Sequence, residues 1–200
     1  MKKVLFIASH RKDRAPGQRF RFEQYFDFLE QNGYKCDLSY IISEYDDKIL
    51  YSEGNYFDKA KFTFRSYKQR LEDVKKMNDY DIIFIFREAL MTKSIYFEKK
   101  FCESKAKTIF DFDDAIWLSN VSNANKKFSW MKSPAKTSRL IKLCDMIFAG
   151  NQYLADYAAQ FNNNIKIVPT TIDLGEYKPV ERQKEDERIC IGWSGSITTI

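Results

Sequence analysis

The 200-residue chain has a single histidine, no C-x-x-C pair and four widely separated cysteines, Cys36, Cys102, Cys144 and Cys190. A zinc site needs a close set of thiolate and imidazole ligands, so this shortage argues against a metal centre and for buried, reduced thiols. Long apolar runs are also missing. Ile82-Ile83-Phe84-Ile85-Phe86 is the length of a strand, far short of the roughly 20 residues that span a bilayer. The opening MKKVLFIASHRKD starts basic, but its apolar run meets charge too early for a signal peptide and reads as a first strand. No G-x-G-x-x-G fingerprint is present, which weakens any dinucleotide-site reading. The net charge of +5 admits anionic ligands without demanding nucleic acid. A composition of 44% hydrophobic and 30% charged residues belongs to a soluble globular chain.

What is present alternates strand and helix. KVLFIAS (3–9) is a short apolar run followed by the polar loop HRKDRAPGQ. RFRFEQYFDFLEQNG sets Phe22, Tyr25, Phe26 and Leu29 at helical spacing and closes on Gly33. YKCDLSYII (34–42) is strand-like, a polar stretch follows, and residues 57–77 form a long helix. DIIFIF (81–86) has the continuous apolar character of a parallel strand buried on both faces. A helix over 93–104 and the strand KTIFDF (107–112) come next, then a helix opened by Ser133 with Pro134 at its first position. DMIFAG (145–150), a helix capped by Asn151, and IKIVP (165–169) complete the series. The alternation predicts an α/β, doubly wound Rossmann-like parallel sheet, whose ligands bind beyond the carboxyl ends of the strands. The loops after Ser9, Phe86, Phe112, Gly150 and Val168 are therefore the ones to examine.

The carboxyl-terminal stretch predicts a domain boundary. Residues 1–178 read as one domain and the charged 179–187 as a linker. In 188–200, Ile189-Cys190-Ile191 reads as a strand and Gly192-Trp193-Ser194-Gly195-Ser196 as its glycine-rich turn, the start of a truncated second domain.

Two loops concentrate chemistry. SHRKDRAPGQRFR gathers Arg11, Lys12, Arg14, Arg19 and Arg21 around Gly17. Guanidiniums beside backbone amides suit an anion, although a solvated basic loop has the same composition. TIFDFDDAIW ends a buried strand with Asp111, Asp113 and Asp114. An Asp-x-Asp at a strand end fits a haloacid-dehalogenase-like phosphatase, with Asp111 as nucleophile, Asp113 as acid/base and magnesium bridging. It also fits a metal–nucleotide Asp-x-Asp, which the doubly wound pattern opposes, or carboxylates at a cleft mouth that hold an acceptor hydroxyl. A plainer reading has Asp111 or Asp114 capping a turn and Trp117 covering the core. Arg87, at the end of a buried strand, needs solvent or a partner for its charge. FTFRSYKQR mixes aromatics with cations, as a membrane-surface or acceptor-facing helix would, or simply an amphipathic one. His10 has the look of a loop histidine without a catalytic role.

Five ordered blocks, KVLFIAS with its glycine loop, FDFDDAIW, CDMIFAGNQYLADYA, IKIVPTTIDLGEY and IGWSGSITT, together resemble the amino-terminal half of a retaining, family 4 (group 1) glycosyltransferase of the GT-B fold. Thr170-Thr171 stands where that family more often has Asn-Gly, and Asp113 lies about where many members carry a histidine. The resemblance implies two Rossmann-like domains facing across a cleft, the amino-terminal one on the acceptor side. It implies transfer from a nucleotide sugar, with retention, to a glycan or lipid-linked acceptor, generally without a metal and with no cofactor beyond the donor. On that basis Asp113 is the catalytic candidate. Gly17, Arg14, Arg19, Gly195 and Ser196 are expected at the donor phosphates, and Arg87 and Asp114 at the acceptor. The implied setting is cytoplasmic, with peripheral contact at the inner membrane face left open. A non-catalytic binding module on the same fold is the remaining alternative.

Overall fold

The structure, a computed structural model, describes residues 1–50, 54–118 and 133–179. Six strands form one sheet: β1 (Lys2–Ile7), β2 (Tyr34–Ser39), β3 (Ile82–Phe86), β4 (Lys107–Phe112), β5 (Met146–Ala149) and β6 (Ile165–Ile167). Their order is β2-β1-β3-β4-β5-β6 and every pairing is parallel. The helices are α1 (Pro16–Arg21), α2 (Phe26–Gln31), α3 (Glu44–Leu50), α4 (Tyr56–Lys76), α5 (Tyr96–Cys102), α6 (Pro134–Leu143) and α7 (Gln152–Ala159). The doubly wound expectation holds. Because β2 and β3 flank β1 on opposite sides, the winding reverses at β1, and a crevice opens there at the carboxyl ends of β1 and β3.

Strand alternation sends side chains to two cores. Leu5, Ile7, Ile83, Ile85, Phe110, Phe112 and Ile147 face the cluster that includes Phe62 of α4, Phe97 and Phe101 of α5, and Leu140 of α6. Val4, Phe6, Phe84 and Phe86 face the other way, onto Phe22, Phe26 and Leu29. That second core is aromatic: Phe22 lies 5.1 Å from Phe6 and 5.5 Å from Phe84, centroid to centroid.

Phe22 also explains a departure from expectation. The RFRFEQYFDFLEQNG stretch is not one helix but α1, a 3₁₀ turn (Glu23–Tyr25) and α2. At φ −146° Phe22 leaves helical geometry, which lets its ring enter the aromatic core while Arg21 points at the sheet. Gly33 ends this region at φ +83°, as its sequence position suggests. Asn151 caps α7 by accepting from the Leu154 amide at 3.0 Å, as expected, whereas Ser133 makes no side-chain cap to α6. Helix α3 occupies the stretch that reads only as polar. Its first turn is acidic, which suits a helix amino terminus, and only Asp46 and Ile49 are fully buried, too few to produce a clear apolar period. The cysteines, distant in sequence, are not all distant in space: Cys102 and Cys144 meet with sulfurs 3.7 Å apart, both as free thiols.

Helix α4 is fixed by a buried arginine. Arg70 is 0% exposed and donates to Ala8 O (2.6 Å), Ala89 O (2.6 Å), Ser39 Oγ (2.9 Å) and Asp73 Oδ2 (2.9 Å). One guanidinium thus ties the carboxyl ends of β1 and β2 to the loop after β3. Burial lowers its pKa, against the pull of Asp73.

Candidate active site at the carboxyl edge of the sheet

The crevice is assembled from four strand ends. Gly17 comes from the segment after β1, Arg87 follows β3, Asp113 and Asp114 follow β4, and Gly150 follows β5. Arg87 Nε donates to Asp113 Oδ1 at 2.8 Å, and Arg87 Nη2 donates to Asp114 Oδ2 at 2.7 Å. Its backbone amide donates to Asp111 O at 2.8 Å, and its φ of +62° lies in the left-handed region that non-glycine residues avoid. A strained arginine at the ligand edge, held by two carboxylates, is the kind of outlier from which a functional site is inferred.

Two glycines pack against Asp113, Gly17 at its carboxylate and Gly150 at its backbone. A Cβ at Gly17 would lie 3.2 Å from Asp113 Oδ2 and 3.6 Å from Arg87 Nη2. A Cβ at Gly150 would lie 3.0 Å from Asp113 Cα. Both positions therefore admit close backbone approach that any side chain would obstruct. Asp113 keeps 13% of its side chain exposed and Asp114 70%, so the pair grades from a seated carboxylate to an open one.

Two residues back in sequence, Asp111 has another fate. It is fully enclosed, and Arg21 of α1 grips both its oxygens while also donating to Val168 O beyond β6. Burial pushes its carboxyl up to about 6, with Arg21 acting in the opposite direction. A phosphatase nucleophile must reach a phosphorus atom, and Asp111 faces the inside of the fold with its lone pairs engaged. The phosphatase reading loses its central residue. Among the described residues, no group of three or more His, Cys, Asp and Glu side chains gathers as metal ligands would.

The basic loop differs from the open cradle that its composition suggests. Arg11 Nη1 and Arg14 Nε both donate to Asp47 of α3, at 2.5 and 2.7 Å. Burial raises the Asp47 carboxyl, but these two guanidiniums outweigh it and hold it below its usual range. His10 Nδ1 stands 4.0 Å from Asp47 Oδ1. Burial lowers its pKa, opposed by Asp47 and helped by Arg14, Arg11 and Arg87, so the imidazole is neutral at neutral pH. Arg19 lies over the Phe20 ring with its Nε enclosed and without a partner. Of the residues expected at the donor phosphates, Gly17 lies in the crevice, Arg14 is engaged by Asp47, and Arg19 packs on Phe20. Gly195 and Ser196 lie outside the described residues, as does nearly all of the predicted linker and second-domain strand. Asp113, Asp114 and Arg87 are brought together.

The packing of Gly150 against Asp113 and the Arg21–Asp111 pairing are the site features that sequence reasoning did not reach. A lone glycine closing a strand at the ligand edge was the available signal for the first. For the second, only the fold reveals that Arg21 leaves its neighbours and crosses to β4. Trp117, expected as a cover, stacks on Tyr157 at 3.7 Å and meets Phe112 edge-on.

The fold and site define a doubly wound α/β domain with a charged, glycine-walled crevice at its switch point. A scan against protein-family models gives no match, and no curated protein matches. Among solved structures, the chain is similar to an alpha-glucosyltransferase in complex with UDP-glucose and DNA containing an abasic site. The identity is 15% and the TM-score 0.45, over 82% of this chain and 41% of that one. The chain thus spans less than half the length of that protein, and a likeness at this level bears on neither family nor activity.

Proposed function

We propose that this chain forms the acceptor-side domain of a glycosyltransferase, which moves a sugar from a nucleotide-sugar donor to a glycan or lipid-linked acceptor with retention. The carrying observation is the cluster of Gly17, Arg87, Asp113 and Gly150 at the switch point, where doubly wound folds bind ligands. The ordered sequence blocks that resemble the retaining family 4 enzymes support the same reading. In it, Asp113 accepts the hydrogen bond of an incoming hydroxyl. Arg87 fixes that carboxylate and Asp114 orients the rest of the acceptor. The glycines let sugar or backbone come close.

Charge accumulates on the leaving nucleotide diphosphate, and such charge needs preorganised donors. Arg11 and Arg14 already serve Asp47. The main phosphate clamp therefore belongs to a second domain across the cleft, beginning in the segment that contains Gly195 and Ser196. No metal and no cofactor besides the donor enters this scheme.

The test is turnover by the full-length protein on a panel of nucleotide sugars with glycan and lipid-linked acceptors, the anomeric configuration of the product being read by NMR. A retained configuration is expected. Absence of turnover across the panel, or an inverted product, would refute the reading.

A further inference from the structure

The sulfurs of Cys102 and Cys144 lie 3.7 Å apart, although 42 residues separate them in the chain. Cys102 ends α5, and Cys144 follows Leu143, the last residue of α6. Both helices pack on one face of the sheet, α5 through Phe97 and Phe101 and α6 through Leu140 and Ile141. The thiols sit at the amino-terminal edge, just ahead of β4 and β5, at the opposite end of the sheet from Asp113. Nothing in the crevice uses either of them.

Three features of the pair go beyond packing. The backbones on both sides are held: the Cys144 amide donates to Leu140 O at 3.1 Å, and Asn162 Nδ2 donates to Cys144 O at 2.9 Å. Beside Cys102, Ser104 donates to Phe101 O from its amide at 3.1 Å and from its hydroxyl at 2.7 Å. Closing the sulfurs to the roughly 2 Å of a bond is therefore left to the two side-chain torsions. Access differs as well, since Cys144 is 4% exposed and Cys102 is only partly buried, so an oxidant meets Cys102 first. The protons are ordered to match. Hydrogen bonding from the Cys144 thiol lowers the Cys102 pKa, although burial, Asp145 and Glu98 act against it. The same contact, with burial, holds Cys144 well above the ordinary thiol range. The accessible sulfur thus ionises first, and the enclosed one keeps its proton beside it. An attacking cysteine and its resolving partner have this relation.

We propose that Cys102 and Cys144 form a redox-active dithiol, which a hydroperoxide converts reversibly to an intramolecular disulfide. The Cys102 thiolate attacks an oxygen of the peroxide, the O–O bond breaks, and hydroxide or alkoxide departs, leaving a sulfenic acid on Cys102. The Cys144 sulfur then attacks the Cys102 sulfur. Its proton leaves with the sulfenic hydroxyl as water while the S–S bond forms. Two electrons pass from the sulfurs to the peroxide. A dithiol reductant reverses the bond by exchange through a mixed disulfide and is itself oxidised to a disulfide. The bond closes a loop that contains β4 and the run Asp111, Asp113 and Asp114. Oxidation therefore staples the base of the strand whose far end carries the candidate site, and narrows the unfolded ensemble. The proposal is independent of the transferase reading, because thiols are counted without turnover.

The experiment exposes the full chain to hydrogen peroxide in slight molar excess, alkylates the remaining thiols, and maps the cysteine peptides by mass spectrometry before and after dithiothreitol. A Cys102–Cys144 cross-link within one chain is expected in most molecules, and its loss on reduction. Cys36 on β2 is the internal control: burial pushes its thiol up to about 11, and it should remain open to alkylation after peroxide. In Cys144→Ser, with folding checked by circular dichroism, a 1,3-dione should trap the sulfenic acid at Cys102. The map of the unaltered chain stands whether or not that variant folds. Three results would overturn the proposal: Cys102 and Cys144 both still alkylated after peroxide, Cys102 joined to Cys190 or to a second chain, or Cys102 carried on to sulfinic acid with no cross-link.

Discussion

Asp111 and Asp113 stand two residues apart at the end of one strand, each paired with an arginine, and they do different work. Asp111 and Arg21 are both about 1% exposed at the side chain, whereas Arg87 beside Asp113 is 36% exposed. The inner pair sits on β4 beneath α1, and the outer pair sits past the strand end at solvent. Two residues along an extended chain move a side chain by about 7 Å without changing its face. Here that step separates a carboxylate enclosed within the fold from one at the edge of the candidate site. Residue type and spacing alone make them look like a catalytic Asp-x-Asp. Burial decides otherwise.

The sharpest way to break the comparison is to remove one acid of each pair. Asp111→Ala strands the Arg21 guanidinium in the interior and is expected to cost about 3–5 kcal/mol in urea unfolding. Arg21→Met together with Asp111→Leu should recover most of that loss, because no charge is left unpaired. Asp113→Ala should lower stability by less than about 1 kcal/mol, since Arg87 is 36% exposed and keeps Asp114 as a partner. A large loss with Asp113→Ala and a small one with Asp111→Ala would reverse the assignment.

Activity should rank the two in the opposite sense. On the proposed transferase reading, Asp113→Asn in the full-length protein is expected to reduce kcat by about 10²-fold while the fold stays intact. Steady-state transfer assays beside a thermal melt check both halves of that statement.

A smaller effect follows from pH. The Asp111 carboxyl titrates near 6 in the folded chain against an ordinary value of 3.8. Between those values the folded state holds a proton that the unfolded chain has released. The contribution of this group to stability is therefore complete below the ordinary value and is lost as pH rises through about 6. Lowering the pH from about 7 to about 5 should raise the urea midpoint by an increment that Asp111→Asn lacks. Gly150→Ala tests the wall itself. Its Cβ, 3.0 Å from Asp113 Cα, forces that backbone to yield, at about 1–2 kcal/mol in a melt. A wild-type melting curve would mean that the wall around Asp113 is slack.

The sheet was legible in the sequence because its strands are continuous apolar runs between turn signals, and β4 begins and ends where KTIFDF does. The carboxyl edge, and with it Asp113, Asp114 and Arg87, followed from the alternation. Three things were not legible. Phe22 keeps helical spacing while leaving the helix, because an aromatic core outweighs local propensity. Helix α3 buries too little to show a period. The destinations of the loop arginines depend on long-range partners: Arg14 finds Asp47 across 33 residues, and Arg21 finds Asp111 across 90. A string of cations advertises charge but not where each charge is neutralised.

The Arg70 tie has a consequence for how the chain assembles. Its acceptors lie 62, 31 and 19 residues away, at Ala8, Ser39 and Ala89. A chain in which only two of the three strands have docked leaves an enclosed cation with donors unmet, so partly formed sheets are penalised. Completion then becomes an all-or-nothing event. Two of those ends, of β1 and β3, also carry Gly17 and Arg87, so that half of the crevice forms only when the sheet around Arg70 is complete.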